Sequence, residues 1–112
     1  MKAYIDHNVL AELVEIMGDD MQMLVTSYIS DTDEKVAILK AMDVVNESEE
    51  MYKLAHSIKG SSRNLGLRGF ADYCEFIEKQ ARNSELTEQE FDRHKLEQLY
   101  QDSIKELKER YL

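Results

Sequence analysis

The 112-residue sequence contains no proline, no tryptophan, only four glycines and a single cysteine. Because proline is absent and Leu, Glu, Lys, Met and Ala are abundant, an all-α fold is favoured. One cysteine excludes an internal disulfide and a cysteine-rich zinc site, and Cys74 lies on an apolar stripe, which is typical of a core residue. No stretch is long and apolar enough to suggest a signal peptide or a membrane span, so we expect a cytoplasmic protein.

Basic residues are also scarce, since 14 Lys and Arg stand against 23 Asp and Glu and give a formal net charge of -9. This balance argues against nucleic acid as a partner, because such binding requires neutralisation of phosphates. No helix shows a broad Lys/Arg face, so membrane-surface binding is not expected either. One segment differs: residues 51–71 contain no Asp or Glu, but they contain Lys53, Lys59, Arg63 and Arg68. A local basic segment in an acidic chain suits an anion such as a phosphoryl group.

The apolar periodicity predicts five helices in a single domain spanning residues 1–112. The first helix is predicted to run from an N-cap at Asp6 to Met17 and to end at Gly18. The second is predicted to start near Asp19 or Asp20, with a break or kink at residues 31–33, where helix propensity is low.

The later helices carry their own start and stop signals. Asn46 and Glu49 resemble a capping box for the third helix, which is predicted to end at residues 65–67 with Gly66 in the left-handed conformation. The fourth is predicted to end near Asn83.

Thr87 and Glu90 resemble a capping box for the fifth helix, predicted to carry Phe91. Short connections between long helices favour antiparallel neighbours. We therefore predict an antiparallel four-helix bundle with a short N-terminal capping helix, and a monomer.

The most informative segment is 56–62, in the third helix. At 100° per residue, His56, Lys59, Gly60 and Arg63 lie opposite the apolar stripe, so the histidine points away from the core. A glycine inside a helix is about 1 kcal/mol less favourable than alanine. We interpret Gly60 as clearance that lets another molecule approach the imidazole.

The sequence His56-Ser57-Ile58-Lys59-Gly60-Ser61-Ser62, followed by Leu65-Gly66-Leu67, resembles the signature of histidine-containing phosphotransfer (HPt) domains, and the resemblance extends over essentially the whole chain. It implies a helical bundle that acts as a phosphorelay intermediate. A phosphoryl group would pass from an aspartyl phosphate of one receiver domain to the histidine, and then to an aspartate of another receiver. The receivers expected are those of a hybrid sensor kinase and of a response regulator.

The resemblance also implies roles for individual residues. His56 would be the phosphorylated nucleophile, and Lys59 would neutralise the phosphoryl oxygens. Gly60 would admit the receiver, while Ser57 and Arg63 would lie at the docking surface. No metal or cofactor of its own is expected, because Mg²⁺ would belong to the receiver.

Glu78 lies where many family members carry glutamine facing the histidine. Positions 56 and 78 fall at similar heights on antiparallel neighbours, so Glu78 is placed to accept a hydrogen bond from His56 Nδ1. The carboxylate would also favour the imidazolium, which cannot attack. Arg82, one turn further along, would temper that charge. The competing interpretation is an ordinary solvated Glu–Arg i,i+4 pair.

Two other function classes compete with this interpretation. A histidine-kinase dimerisation domain is disfavoured, because Ser57 stands where an acidic residue is expected and because no proline and no nucleotide-binding glycine loop are present. A helical adaptor that docks receivers without transferring phosphate remains the alternative. His7 and His94 are interpreted as plain surface residues. The methionines are expected to be mostly core residues, and the alternative is an exposed apolar docking patch beside His56 that includes Met17 and Tyr28.

Overall fold

The computed structural model describes residues 4–112, which form five α-helices and no β-strand. The helices are α1 (His7–Met17), α2 (Met21–Lys40), α3 (Ser48–Asn64), α4 (Arg68–Arg82) and α5 (Arg93–Tyr111), and a single 3₁₀ turn, Gly18–Asp20, joins α1 to α2. The long helices form a ring in which α2 contacts α3 and α5, α4 contacts α5, and the closest pairing is α3 with α4. The predicted all-α bundle with an N-terminal capping helix is confirmed.

The bundle axis is filled by side chains from all four long helices. Burial of these apolar groups is the main favourable term in folding. Cys74 is among them, as predicted, and burial raises the pKa of its thiol. The largest fully buried side chains are Tyr100, Phe70, Leu10, Leu39, Met51, Ile58, Leu67, Ile77, Leu96, Leu107, Val25 and Val36.

The predicted start of α1 and the predicted end of α3 are confirmed. The Asp6 carboxylate accepts hydrogen bonds from the backbone N–H groups of Asn8 and Val9, which would otherwise lack helical partners. Gly66 adopts φ +76°, and its carbonyl accepts a 2.7 Å bond from the Asp6 N–H. The segment before α1 is thereby fixed across the α3–α4 turn.

The predicted break in α2 is wrong, because the helix is continuous through residues 31–33. Tertiary contacts override the weak local propensity of this segment. Thr32 is fully buried, and the Asp33 carboxylate accepts a 2.5 Å hydrogen bond from the Tyr100 hydroxyl of α5. The same hydroxyl also donates to the Ile29 carbonyl.

The predicted capping box of α3 is also wrong. Asn46 lies in the turn before the helix, where its N–H and that of Val45 donate to the Asp43 carboxylate. Glu47 completes this turn by accepting from the Asp43 N–H. The acidic pair that closes the connection is therefore Asp43 with Glu47, not Asn46 with Glu49.

The Thr87–Glu90 pair forms, but it closes an isolated turn rather than starting α5. The Thr87 hydroxyl accepts from the Glu90 N–H at 3.2 Å, whereas α5 begins at Arg93 with Asp92 as its N-cap. The Tyr73 hydroxyl of α4 accepts from the Asp92 N–H, which holds that backbone outside the helix. The buried Phe91 therefore precedes α5.

Gly66 and Gly18 provide a matched test of the α3–α4 turn. Both have positive φ, but a Cβ at Gly66 would lie 2.6 Å from the Asp6 carbonyl oxygen, whereas one at Gly18 would meet no heavy atom of residues 4–112 within 4 Å. Gly66→Ala should therefore lower the free energy of unfolding by more than about 2 kcal/mol, and Gly18→Ala by about 1 kcal/mol. Urea unfolding of both variants measures this, and equal losses would contradict the proposed close approach.

Candidate functional site

The site is centred on His56, which lies in the middle of α3 with its side chain 62% exposed. Its Nδ1 atom lies 2.8 Å from Glu78 Oε2 on α4. An ionised carboxylate only accepts hydrogen bonds, so Nδ1 carries the proton, and in the neutral ring Nε2 keeps its lone pair. Glu78 thus selects the tautomer in which the nucleophilic nitrogen is Nε2.

Glu78 is buried, which excludes the interpretation of a solvated surface pair. Two cations flank the carboxylate: Lys59 Nζ lies 2.6 Å from Oε1, and an Arg82 guanidinium nitrogen lies 3.0 Å from Oε2. Burial by itself raises the pKa of Glu78, but the contacts from Lys59 and His56 outweigh it and hold the pKa below its ordinary value. The carboxylate is therefore ionised at neutral pH.

Arg82 is held from a second side by an aromatic ring. Its guanidinium carbon lies 5.1 Å from the ring centroid of Tyr52, one turn before His56 on α3. Together these contacts keep Arg82 over the Glu78 carboxylate. The predicted association of Arg82 with Glu78 is found, and Tyr52 supports it.

The basic segment recognised in the sequence is largely compensated in three dimensions. Arg63 contacts Asp72 at 3.2 Å and Glu75 at 2.9 Å, both on α4. Lys59 likewise contacts Glu78 rather than extending freely beside Nε2. The carboxylate partners of Lys59 and Arg63 lie on the neighbouring helix, and that of Lys53 is Glu49 on α3, just before the segment. A docking role for Arg63 stays a prediction.

On the side of His56 that faces away from Glu78, α3 carries the small residues Gly60 and Ser61. We call this the low side of α3. A Cβ at Gly60 would meet no heavy atom of the described chain within 4 Å, so space above this residue is open. Ser61 donates its hydroxyl locally, to the carbonyls of Ser57 and Ile58. Ser62 is fully buried and pairs with the Tyr28 hydroxyl at 2.7 Å, as its place on the inner stripe predicts.

A groove of about 600 Å³ runs along this low side of α3 towards α1. Tyr28 lines it but is only 7% exposed, so the predicted exposed position of this residue is wrong: Ser62 holds its hydroxyl inside the bundle. Met17 is half-buried and lines the groove as well. The groove is lined by Leu13, Met17, Leu24, Ser27, Tyr28, Asp31, Ser61, Asn64 and Leu65.

Lys35 is a neighbour of the site that the sequence analysis missed. Its Nζ lies 2.9 Å from the Ser57 hydroxyl, beside His56, and 2.9 Å from the Asp31 carboxylate. Lys35 lies on α2, 22 residues before Ser57, so no local motif connects the two. The i,i+4 spacing of Asp31 and Lys35 was the one available signal, and it identified neither a contact with α3 nor a site.

Among residues 4–112, no three His, Cys, Asp or Glu side chains converge as a metal site requires. None of the helices in this part of the chain is long and apolar enough to span a bilayer. His7 and His94 are exposed, as predicted.

A protein-family model described as "Hpt domain" matches residues 9–110. The chain belongs to the Hpt domain family. Its fold is similar to the crystal structure of histidine-containing phosphotransfer protein B (HptB) from Pseudomonas aeruginosa PAO1, with a TM-score of 0.84, 29% sequence identity and 97% of each chain covered.

A curated relative is "Multistep phosphorelay regulator 1" of Schizosaccharomyces pombe, 31% identical over 81 residues that make up 69% of this chain. The chain spans only 28% of that relative's length. Membership in the Hpt domain family confirms the resemblance noted in the sequence. An Hpt domain is a histidine phosphotransfer module of phosphorelays and not a kinase, and receiver domains are the general partners of such modules.

The ionised, buried Glu78 of this Hpt domain predicts a pH-dependent stability. We expect Glu78→Gln to lower the free energy of unfolding by about 1–3 kcal/mol at pH 7, because it removes the charge between Lys59 and Arg82. A carboxyl with a lowered folded-state pKa stabilises above its unfolded-state pKa of about 4.3, and this contribution is lost as the pH falls through the folded-state value. The free energies of unfolding of wild type and Glu78→Gln, measured with urea, should therefore become more alike below about pH 4.

Glu106→Gln provides the matched control, because Glu106 forms an i,i+4 pair with Arg110 on the outside of α5. That variant should stay within about 0.5 kcal/mol of wild type at every pH. If the Glu78→Gln difference in the free energy of unfolding does not change between pH 7 and pH 3, the carboxyl has the same pKa in the folded and unfolded protein, and its ion pairs do not favour the ionised form.

Proposed function

We propose that His56 accepts the phosphoryl group from an aspartyl phosphate of a hybrid sensor kinase's receiver domain and passes it to an aspartate of a response regulator. The observation that carries this assignment is the 2.8 Å contact between Nδ1 and the buried Glu78 carboxylate, on a histidine that is otherwise exposed. That contact leaves Nε2 as the atom available to a partner.

In the transfer step, the Nε2 lone pair forms the nitrogen–phosphorus bond while the bond from phosphorus to the aspartate oxygen breaks. The receiver's aspartate leaves as a carboxylate, and no proton has to move. The imidazole ring becomes positively charged, since Nδ1 keeps its proton. Glu78 accepts from that Nδ1–H and stabilises the charge, as the buried aspartate does for histidine in a serine-protease triad.

Lys59 and Arg82 supply the balancing positive charge. A lone carboxylate beside the imidazole would favour the imidazolium, which cannot attack. The two cations on Glu78 oppose this effect in the unphosphorylated protein. Once a phosphoryl group is present, the Lys59 ammonium, one turn along α3, is placed to stabilise its oxygens electrostatically. Lys59 and Arg82 therefore act on the charge of the site and not as nucleophiles.

The two sides of α3 suggest the direction from which a receiver approaches. Towards α4, His56 is flanked by the Lys59–Glu78–Arg82 cluster. Towards α2, the low side of α3 carries Gly60 and Ser61, and the apolar groove borders Ser61. A receiver that seats an apolar surface in this groove brings its aspartate over Gly60 to Nε2, so we assign the groove as the docking face.

The same proposal covers the requirements of the reaction. The domain works without a cofactor of its own and without binding ATP, and the Mg²⁺ needed for the reaction is bound by the receiver. It acts as a monomer in the cytoplasm. The net charge of -9 suits neither nucleic acid nor an anionic membrane as a partner.

We expect His56→Gln to abolish acceptance of labelled phosphate from a phosphorylated receiver, with helicity and thermal stability nearly unchanged because the side chain is exposed. The label on the wild-type protein should be acid-labile, as phosphoramidate bonds are. His7→Gln and His94→Gln are the matched controls and should be labelled normally. A labelled His56→Gln protein would refute the assignment, and an unlabelled wild type that still binds receivers would favour an adaptor.

Substitutions of Gly60 test the clearance above the nucleophile. Gly60→Ala should stabilise the fold by up to about 1 kcal/mol, because its methyl group meets no described atom within 4 Å and alanine is the better helix former. Gly60→Gln should fold, yet transfer from a receiver should slow by about tenfold or more, because the longer side chain displaces the aspartate from Nε2. Urea unfolding measures the stability of Gly60→Ala, and timed transfer assays measure the rate for Gly60→Gln. A wild-type transfer rate for Gly60→Gln would contradict the interpretation of Gly60 as clearance.

A further inference from the structure

Lys35 differs from the other cations around His56 in how it is held. Its partners are a neutral hydroxyl, that of Ser57, and the carboxylate of Asp31, whose side chain is 57% exposed. An i,i+4 ion pair on an exposed helix surface contributes little to stability. Separating the Lys35 ammonium from Asp31 therefore has a small free-energy cost.

The cations on the α4 side are held more firmly. Lys59 and Arg82 both contact the buried Glu78, and moving either away leaves a buried carboxylate with one counter-charge fewer. Arg63 is shared between two carboxylates, those of Asp72 and Glu75. Of these cations near His56, Lys35 loses the least when it leaves its carboxylate, so a binding partner can recruit it most easily.

Lys35 also lies on the side from which a receiver approaches. Its contact with Ser57 places it where α2 meets the low side of α3, and its partner Asp31 lines the apolar groove. A receiver presents a carboxylate, its acceptor aspartate, to a carrier whose own net charge is -9. An available cation at this edge counters the repulsion between two acidic surfaces and raises the association rate.

We propose that Lys35 is a recognition residue for receivers: it exchanges Asp31 for a carboxylate at the rim of the receiver's aspartate pocket, and Asp31 competes for it in the free protein. This inference rests on the proposed function, because it assumes transfer from a receiver to His56. It assigns Lys35 to binding and not to the chemical step.

The test measures transfer from a receiver domain, loaded by acetyl phosphate, to wild-type, Lys35→Gln, Lys35→Arg and Lys40→Gln proteins over a range of receiver concentrations. Lys35→Gln should raise the KM for the receiver about fivefold at low salt, with the maximal rate within about twofold of wild type. Lys35→Arg should restore the KM. Lys40→Gln, the matched control, removes the same charge from the same helix, but Lys40 pairs with Glu97 on α5, so its KM should stay near wild type.

Competition by Asp31 gives the second measurement. Asp31→Asn should lower the KM two- to threefold, and this gain should vanish in the Asp31→Asn, Lys35→Gln double variant. A gain that persists without Lys35 overturns the proposal, because it would then reflect only the net charge of the surface. Equal KM values for Lys35→Gln and Lys40→Gln overturn it as well, and so does a fall in maximal rate at constant KM.

Phosphoramidate, a small donor that needs no docking, separates this inference from the proposed function. Labelling of the Lys35→Gln protein by phosphoramidate shows that the nucleophile is intact and that a raised KM belongs to receiver recognition. A wild-type protein that takes phosphate from neither donor overturns the proposed function itself, and the role of Lys35 with it.

Discussion

The ion-pair cluster around the Glu78 carboxylate joins the two helices on which the site is built. The carboxylate belongs to α4, while His56 and Lys59, two of its three partners, belong to α3. Burying a charge is strongly unfavourable unless it is paired and hydrogen-bonded, so this carboxylate requires both helices in register. The same contacts that satisfy it fix the imidazole tautomer. The same contacts therefore determine both the register of α3 against α4 and the tautomer of His56. Arg82 adds the third contact to Glu78 from within α4.

That register is set at the turn between α3 and α4. His56 lies ten residues before Gly66 and Glu78 lies twelve residues after it, distances of about 15 and 18 Å along two helices that run in opposite directions. The two side chains consequently meet at nearly the same height. Gly66 allows this because its positive φ and its lack of a Cβ let the chain pass close to the Asp6 carbonyl. Gly66, although ten residues from His56, thus determines where Glu78 lies relative to that histidine.

The features that could be predicted from sequence are those encoded by local pattern. The outward register of His56 follows from helical periodicity, the turn at Gly66 follows from glycine's access to positive φ, and the facing position of Glu78 follows from counting residues across that turn. Features that depend on distant contacts could not be predicted in this way. The contact of Lys35 with α3 is one, and another is the Thr87–Glu90 pattern, which forms locally although Tyr73 of α4 holds the following backbone outside the helix. A short motif specifies one turn, and the rest of the bundle decides whether a helix continues from it.

The charges of the site suit the phosphoryl group that we propose it carries, although the protein as a whole is acidic. Before phosphorylation, the two cations Lys59 and Arg82 stand against the one carboxylate of Glu78, which leaves one net positive charge beside the imidazole. The proposed attack by Nε2 would add a positive charge to the ring of His56 and bring a phosphoryl group of nearly two negative charges. The cluster would then be close to neutral, so the proposed phosphorylated state would not accumulate charge beside the bundle. The same few side chains would balance both states, as the proposed carrier needs if it is to load from one partner and discharge to another without rearranging its fold.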